Sequence, residues 1–330
     1  MGGLPRRATY ISQIKDSGVD PILLDAGDAL FDNYYLVRGK EASSKLKAKT
    51  ILESSSAMGN YLYNVGYYDF AAGYEFIREM QSTYGTRFIS SNIVKAGTDE
   101  LAFASHEILQ NKGLKIGVFG ITTELPAAEK AVAIKDYTET AKAKIAELRP
   151  QVDLLVLLMN ATRVQSYNIM NDLTGVDYVF LSRETTRTRP ERLQDQSNNP
   201  LTYSFGIQGK YVGRFNVNIV DNQQPIKDIT APMMSVSVFQ ERLNNLQKRN
   251  PDKPLEELYK NSPKVIDVVQ KYKEGLSESK TNMANAINTS FYTLIPLSRD
   301  VASEKNMLAV VDETLKTCNM LDKQGAQNLN

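Results

Sequence analysis

Short apolar runs alternate along the first part of the chain with stretches whose apolar positions recur every three to four residues. The run Pro21-Ile22-Leu23-Leu24-Asp25-Ala26-Gly27-Asp28, with those at 61–65, 87–93, 153–159 and 176–181, has strand length and predicts strands. Leu114-Lys115-Ile116-Gly117-Val118-Phe119-Gly120 predicts the second arm of a hairpin over 101–120. Helical spacing occupies 5–17, 41–59, 74–84, 136–149 and 163–173. This alternation predicts an α/β fold with a mainly parallel or mixed sheet covered on both faces. After Thr185 the pattern changes. Residues 187–200, with Arg187, Arg189, Arg192 and two prolines, predict an exposed loop, and 201–219 return to strand with Gly206, Gly209 and Gly213 at bends. From about 232 the chain reads as helical, over 235–249, 254–278 and 303–321, with 288–299 an irregular aromatic link. The division expected is an α/β domain at 1–230 and a helical extension at 231–330.

One loop draws attention within this pattern. Asn64-Val65-Gly66-Tyr67-Tyr68-Asp69-Phe70-Ala71-Ala72-Gly73 has glycines flanking a polar, aromatic centre, and it joins a strand to a helix. Loops at the carboxyl ends of sheet strands are where α/β proteins place their sites.

Composition narrows the chemistry. Lys+Arg number 39 and Asp+Glu 38 over 330 residues, so a surface for polymeric nucleic acid is not indicated. No apolar run approaches the ~18 residues needed to span a bilayer. The start, Met1-Gly2-Gly3-Leu4-Pro5-Arg6-Arg7, lacks the apolar segment of a signal peptide, and the natural N-terminus is expected to lie upstream. The single cysteine, Cys318, allows no intrachain disulfide and is expected to be a small buried residue. The single histidine, His106, excludes a multi-histidine site within this chain.

Several ordered motifs in 2–230 resemble the catalytic domain of the 5′-nucleotidase (UshA-like) branch of the calcineurin-like metallophosphoesterases. Leu23-Leu24-Asp25-Ala26-Gly27-Asp28 is similar to that family's Gly-Asp strand end, and Gly66-Tyr67-Tyr68-Asp69-Phe70-Ala71-Ala72-Gly73 keeps the register of its Gly-Asn-His-Glu loop. Gly2-Gly3-Leu4-Pro5-Arg6-Arg7-Ala8, Phe88-Ile89-Ser90-Ser91-Asn92, Lys115-Ile116-Gly117-Val118-Phe119-Gly120 and Gly206-Ile207-Gln208-Gly209-Lys210-Tyr211-Val212-Gly213-Arg214 match further family segments. The resemblance implies a four-layer α/β/β/α sandwich carrying a helical C-terminal extension. It also implies a family cofactor of two divalent metals, of whose ligands few remain. Asp28 is kept. Tyr67 stands for an asparagine and Tyr68 for the catalytic histidine, Asn160 stands for a lone histidine, and Arg183 and Thr185 replace the last two histidines. A first ligand pair would lie before Met1.

Two divalent ions need several anionic or imidazole ligands, whereas Arg183 is a fixed cation. The expectation is therefore a chain without metal cofactor or catalytic residues, acting by binding or assembly, with a protein partner at the helical extension or a small anionic ligand near Arg183. The alternative is a metal-dependent phosphoesterase with a degenerate or remodelled site. The resemblance implies a periplasmic or extracellular location, because the family is largely exported. The larger nucleobase-gripping domain of the family has no room in 232–330.

The remaining residues leave pairs of readings. Asp28 and Arg183 are either an ion pair in which arginine replaces the metal charge or two unrelated groups. Tyr67 and Tyr68, with Tyr34 and Tyr35, either line a ligand pocket or plug a dead site. Asp25 and Asp69 are either acid and base or turn-capping groups. The Arg187, Arg189 and Arg192 run either meets an anion or is a solvated loop. His106 is expected to be structural or exposed.

Overall fold

Strand β1 (Leu23–Asp25), β2 (Tyr61–Asn64) and β3 (Arg87–Ile89) pair in parallel as a small sheet. The computed structural model describes residues 3–192 and 200–328. Helix α1 (Leu4–Asp16) precedes this sheet, while α2 (Glu41–Ala57) and α3 (Tyr74–Tyr84) connect its strands. Ala48 and Leu52 of α2 and Phe76, Ile77 and Met80 of α3 are buried in one cluster with Tyr61, Tyr63 and Phe88 of the strands. Each of the leucine, isoleucine, methionine and phenylalanine side chains among them contributes roughly 1.5–3 kcal/mol by leaving water.

A second sheet has the order β10-β9-β8-β6-β5. Its members are β5 (His106–Asn111), β6 (Leu114–Thr122), β8 (Leu154–Asn160), β9 (Tyr178–Ser182) and β10 (Leu201–Ser204), all parallel except the β5–β6 hairpin. Between them in the chain, β4 (Ile93–Lys95) and β7 (Val132–Ile134) form a separate antiparallel pair. Strand β8 is buried at every position because both of its faces are covered. Leu155, Leu157 and Met159 face α4 (Tyr137–Leu148) and α5 (Arg163–Ile169) in a second core cluster. Strand β2 of the first sheet abuts β6 and β8 of the second. The layers run helix, sheet, sheet, helix, which is the four-layer α/β/β/α arrangement.

The rest of the chain departs from the sequence reading at two points. Residues 288–296 form a strand, β13 (Asn288–Pro296), instead of an irregular link. It lies between β11 (Tyr211–Asn218) and β12 (Ile226–Asp228). Its buried positions include Asn288 and Ser290, so its alternation hides among polar residues. The compact units also do not follow a cut at 230/231. One unit comprises residues 1–187, 197–212 and 295–330; the other comprises 188–196 and 213–294.

The second unit carries α6 (Thr230–Gln247), α7 (Leu255–Leu258) and α8 (Pro263–Ala284), with Leu243, Leu255 and Val269 in its own core. The last helix, α9 (Lys305–Gln327), belongs to the first unit because it packs on α1 and α2: Val311 joins the Leu4 and Ile11 cluster. Buried Thr314 bonds Thr50 (3.0 Å), and Cys318 is buried against Ser43. In the 187–200 stretch, residues 193–199 lie outside the described residues; Arg187 stacks its guanidinium on the Tyr211 ring at 4.9 Å, and Arg189 and Arg192 are exposed.

Candidate functional site

The register of the second sheet sets the floor of the site. Thr122, Asn160 and Ser182 are the last residues of β6, β8 and β9 and lie side by side. Asn160 is fully buried. Its Oδ1 accepts from the Tyr67 N–H (3.0 Å), and its Nδ2 donates to Ser182 Oγ (2.7 Å). The Ser182 hydroxyl donates in turn to the Ala26 carbonyl (2.8 Å). Asn64, ending β2, donates to the carbonyls of Ala26 and Ile121, both at 3.2 Å. These side chains tie the ends of both sheets and the loops that leave them. A Cβ on Gly66 would stand 2.6 Å from Asn160 Nδ2 and 2.8 Å from the Asp28 nitrogen, so the loop approaches this closely only through glycine.

Asp69 holds the two site loops together. It is fully buried and accepts four hydrogen bonds: from Tyr63 Oη (2.7 Å) and the Leu30 N–H (3.3 Å) at Oδ1, and from the N–H groups of Gly66 (2.7 Å) and Asp28 (3.0 Å) at Oδ2. Burial first and the Asp28 charge second push its pKa up to about 8, against those donors. Asp25 plays a turn role: its oxygens accept from the Gly27 N–H (3.0 Å) and Tyr61 Oη (3.0 Å), and burial raises its pKa while Arg7 pulls it down.

Asp28 and Arg183 face each other across the site, each with a left-handed backbone at φ 64°. Such a conformation costs a residue with a Cβ roughly 1–2 kcal/mol, and strain of this kind concentrates at functional positions. Asp28 Oδ1 accepts from the Tyr68 N–H (2.7 Å). Its buried Oδ2 makes no hydrogen bond among the described residues and stands 3.8 Å from Arg183 Nε. Burial pushes the Asp28 pKa up to about 6, opposed by the Asn160 amide, the Tyr68 N–H and Arg183.

The Arg183 side chain is 13% exposed. Its Nη1 bonds Glu124 Oε1 at 2.6 Å, and its guanidinium lies 4.4 Å from the centre of the Tyr67 ring and 5.9 Å from that of Tyr68. Aromatic contacts continue outward, Tyr68 to Tyr67 (5.6 Å), Tyr67 to Tyr34 (5.7 Å) and Tyr34 to Tyr35 (5.0 Å), and the last two are half exposed. Burial raises the Tyr67 pKa above the ordinary phenol value, so the ring is a neutral phenol at physiological pH.

The fold therefore gathers Asp28, Tyr67, Tyr68, Asp69, Asn160 and Arg183, whereas Thr185 is exposed beyond the cluster. Sequence reasoning missed Glu124, Ser182 and Tyr63. Glu124 is a lone acid in the loop after β6 with no motif around it, and only the fold shows that this loop meets Arg183. His106 sits on edge strand β5 with Nδ1 2.8 Å from Ser105 Oγ and 3.9 Å from Glu147 Oε1, apart from the loops of the site.

A pair of divalent cations does not fit this donor set. The oxygen of Asn160 is already committed to Tyr67, and the Tyr67 phenol is neutral. The free edge of Asp28 faces a permanent cation. Among the described residues, no group of three or more His, Cys, Asp or Glu could hold a metal ion.

No family model matches the chain. Curated proteins do match part of it. A 2′,3′-cyclic-nucleotide 2′-phosphodiesterase/3′-nucleotidase of Haemophilus influenzae is 25% identical over 176 residues, 47% of this chain and 26% of that protein. A 5′-nucleotidase of Vibrio vulnificus is 27% identical over 157 residues, 44% of this chain and 27% of that protein. The chain thus spans about a quarter of the length of these relatives. Among solved structures, the calcineurin-like phosphoesterase YfkN of Bacillus subtilis aligns with TM-score 0.60 at 11% identity, over 96% of this chain and 90% of that one. The sulfate thiohydrolase SoxB of Thermus thermophilus aligns with TM-score 0.62 at 11% identity, over 96% and 46%.

Proposed function

We propose that this chain, a divergent relative of the 5′-nucleotidase branch of the calcineurin-like phosphoesterases, acts by binding or assembly without hydrolysing phosphate esters. The observation that carries this reading is the Arg183 guanidinium, lodged between Asp28 and Glu124 over the Tyr67 ring. A fixed positive charge there repels a divalent cation, and without such a cation the family's route to a metal-activated water is closed. The tyrosines fill the space beside it. What is bound is a protein partner engaging the helical part of the chain or a small anionic ligand, and the resemblance to a largely exported family makes the periplasm or the cell exterior the location we propose.

The test is a hydrolysis screen with nucleoside monophosphates, 2′,3′-cyclic nucleotides and an aryl phosphate, with Mn²⁺ or Zn²⁺ added. No turnover above the buffer rate is expected. Metal-dependent turnover that disappears in Asp28→Asn would establish the second reading, a metal-dependent phosphoesterase with a remodelled site. That reading draws its support from the activities named for the curated relatives.

A further inference from the structure

The Arg183 side chain is held as a bound ligand is held, between walls anchored elsewhere in the fold. One wall is Asp28. Its Oδ1 accepts from the Tyr68 N–H (2.7 Å) and its own N–H donates to Asp69 (3.0 Å), which leaves Oδ2 buried and 3.8 Å from Arg183 Nε. The second wall is Glu124, whose Oε1 lies 2.6 Å from Arg183 Nη1. Glu124 follows Thr123, which is fixed to the Asn160 carbonyl by its N–H (3.0 Å) and by its hydroxyl (3.1 Å). The floor is the Tyr67 ring, 4.4 Å from the guanidinium carbon, with the Tyr68 ring at 5.9 Å. The Tyr67 N–H is itself held by Asn160 (3.0 Å).

These walls suit one chemistry. A guanidinium has donors in its plane that serve carboxylates at its edges, and flat faces that stack on a ring. An ammonium is compact, strongly hydrated and has no flat face. The charges also disfavour an anion. Two carboxylates already flank the one guanidinium, and Glu184, next in the chain, is answered by Arg163 (4.0 Å). A phosphate or carboxylate at Arg183 would displace Glu124 and still face Asp28.

We propose that the cluster is a guanidinium-binding site occupied in cis by Arg183: the space vacated by that side chain takes a free guanidinium ion, and the intact chain takes no anion there. A preformed cradle lowers the cost of binding, and for so small an ion a Kd on the order of 10 mM is expected. The proposal rests on the reading of Arg183 as the occupant of the family's metal position. Asp28-dependent turnover in the hydrolysis screen would remove that reading; no turnover and no guanidinium binding would remove this proposal alone.

Urea unfolding of Arg183→Gly at pH 8, in about 50 mM guanidinium chloride and separately in about 50 mM ammonium chloride, tests it. Guanidinium should lower the unfolding constant of the variant about sixfold relative to wild type, whose site is filled, and ammonium should leave it unchanged. In Arg183→Gly/Asp28→Asn the Kd should rise tenfold or more, so the same addition should act by less than about twofold. If Arg183→Gly is unfolded as made, recovery of its far-ultraviolet circular dichroism in guanidinium but not in ammonium is the expected result, and no recovery counts against the site. No guanidinium effect, an equal effect of ammonium, or a full effect in the double variant would overturn the proposal. So would saturable binding of phenyl phosphate to the wild type, measured by calorimetry, that is lost in Arg183→Gly.

Discussion

Replacing Arg183 by alanine tests the electrostatic account of the site, and the expected size of the effect depends on pH. In the folded chain the Asp28 carboxyl has a pKa of about 6 against 3.8 in the unfolded chain. A raised carboxylate pKa destabilises the fold as pH rises from the unfolded to the folded value, and the cost then levels off. At about 1.36 kcal/mol per unit it reaches roughly 3 kcal/mol above pH ~6. Without Arg183 the pKa rises further, but Asp28 can always protonate, so its cost at pH 8 is capped near 5.7 kcal/mol, about 2.7 above wild type. At pH 5 Asp28 is protonated with or without the arginine, and its cost is the same in both proteins. Loss of the stacking on Tyr67 adds about 1 kcal/mol at either pH. Glu124, 41% exposed, rehydrates at little cost. Arg183→Ala should therefore lose about 1 kcal/mol at pH 5 and more than that at pH 8, up to a ceiling of about 3.7. Urea unfolding followed by far-ultraviolet circular dichroism measures both. Arg183→Gly, which relieves the left-handed backbone, should be about 1 kcal/mol less destabilised than the alanine variant. Equal losses at the two pH values, or a loss under about 0.5 kcal/mol at pH 8, would refute the pairing of Asp28 with Arg183.

Three further outcomes follow from the same geometry. Asp28→Asn removes one of the titrating groups, so the fall in wild-type stability between about pH 4 and pH 6 should become shallower, the remainder coming from Asp69, and melts across that range will show it. Asp69→Asn sets an amide N–H₂ against donors that now share two carboxylate oxygens, and its urea midpoint should reveal a loss of roughly 2–4 kcal/mol. Glu124→Gln should cost less than about 1 kcal/mol in the same assay, because that carboxylate remains in contact with water.

The strand–helix alternation was legible because both sheets are covered by helices. The apolar run that became β8 is buried at every position, and the glycine-flanked loop at 64–73 lies where the strand ends converge. Strand β13 was not legible: its inward positions carry Asn288, Ser290 and Tyr292, which do not alternate in hydrophobicity. Nor was the return of α9 to α1 and α2, since a helix face does not name its partner, and the Thr50–Thr314 bond joins residues far apart in the chain. Within the site, family register carried Asp28, Tyr67, Tyr68, Asp69, Asn160 and Arg183 to one place. It misplaced Thr185, because the chain turns outward after Arg183. Glu124 had no motif to mark it, and its role exists only through the 2.6 Å contact with Arg183.

The central claim is that an arginine now supplies the positive charge beside Asp28. Titration of Mn²⁺ and of Zn²⁺ into the chain, with elemental analysis of the protein before and after, tests it most directly. The account predicts substoichiometric metal on purification and no saturable uptake that depends on Asp28. Two tightly held ions per chain, lost together in Asp28→Asn, would contradict it.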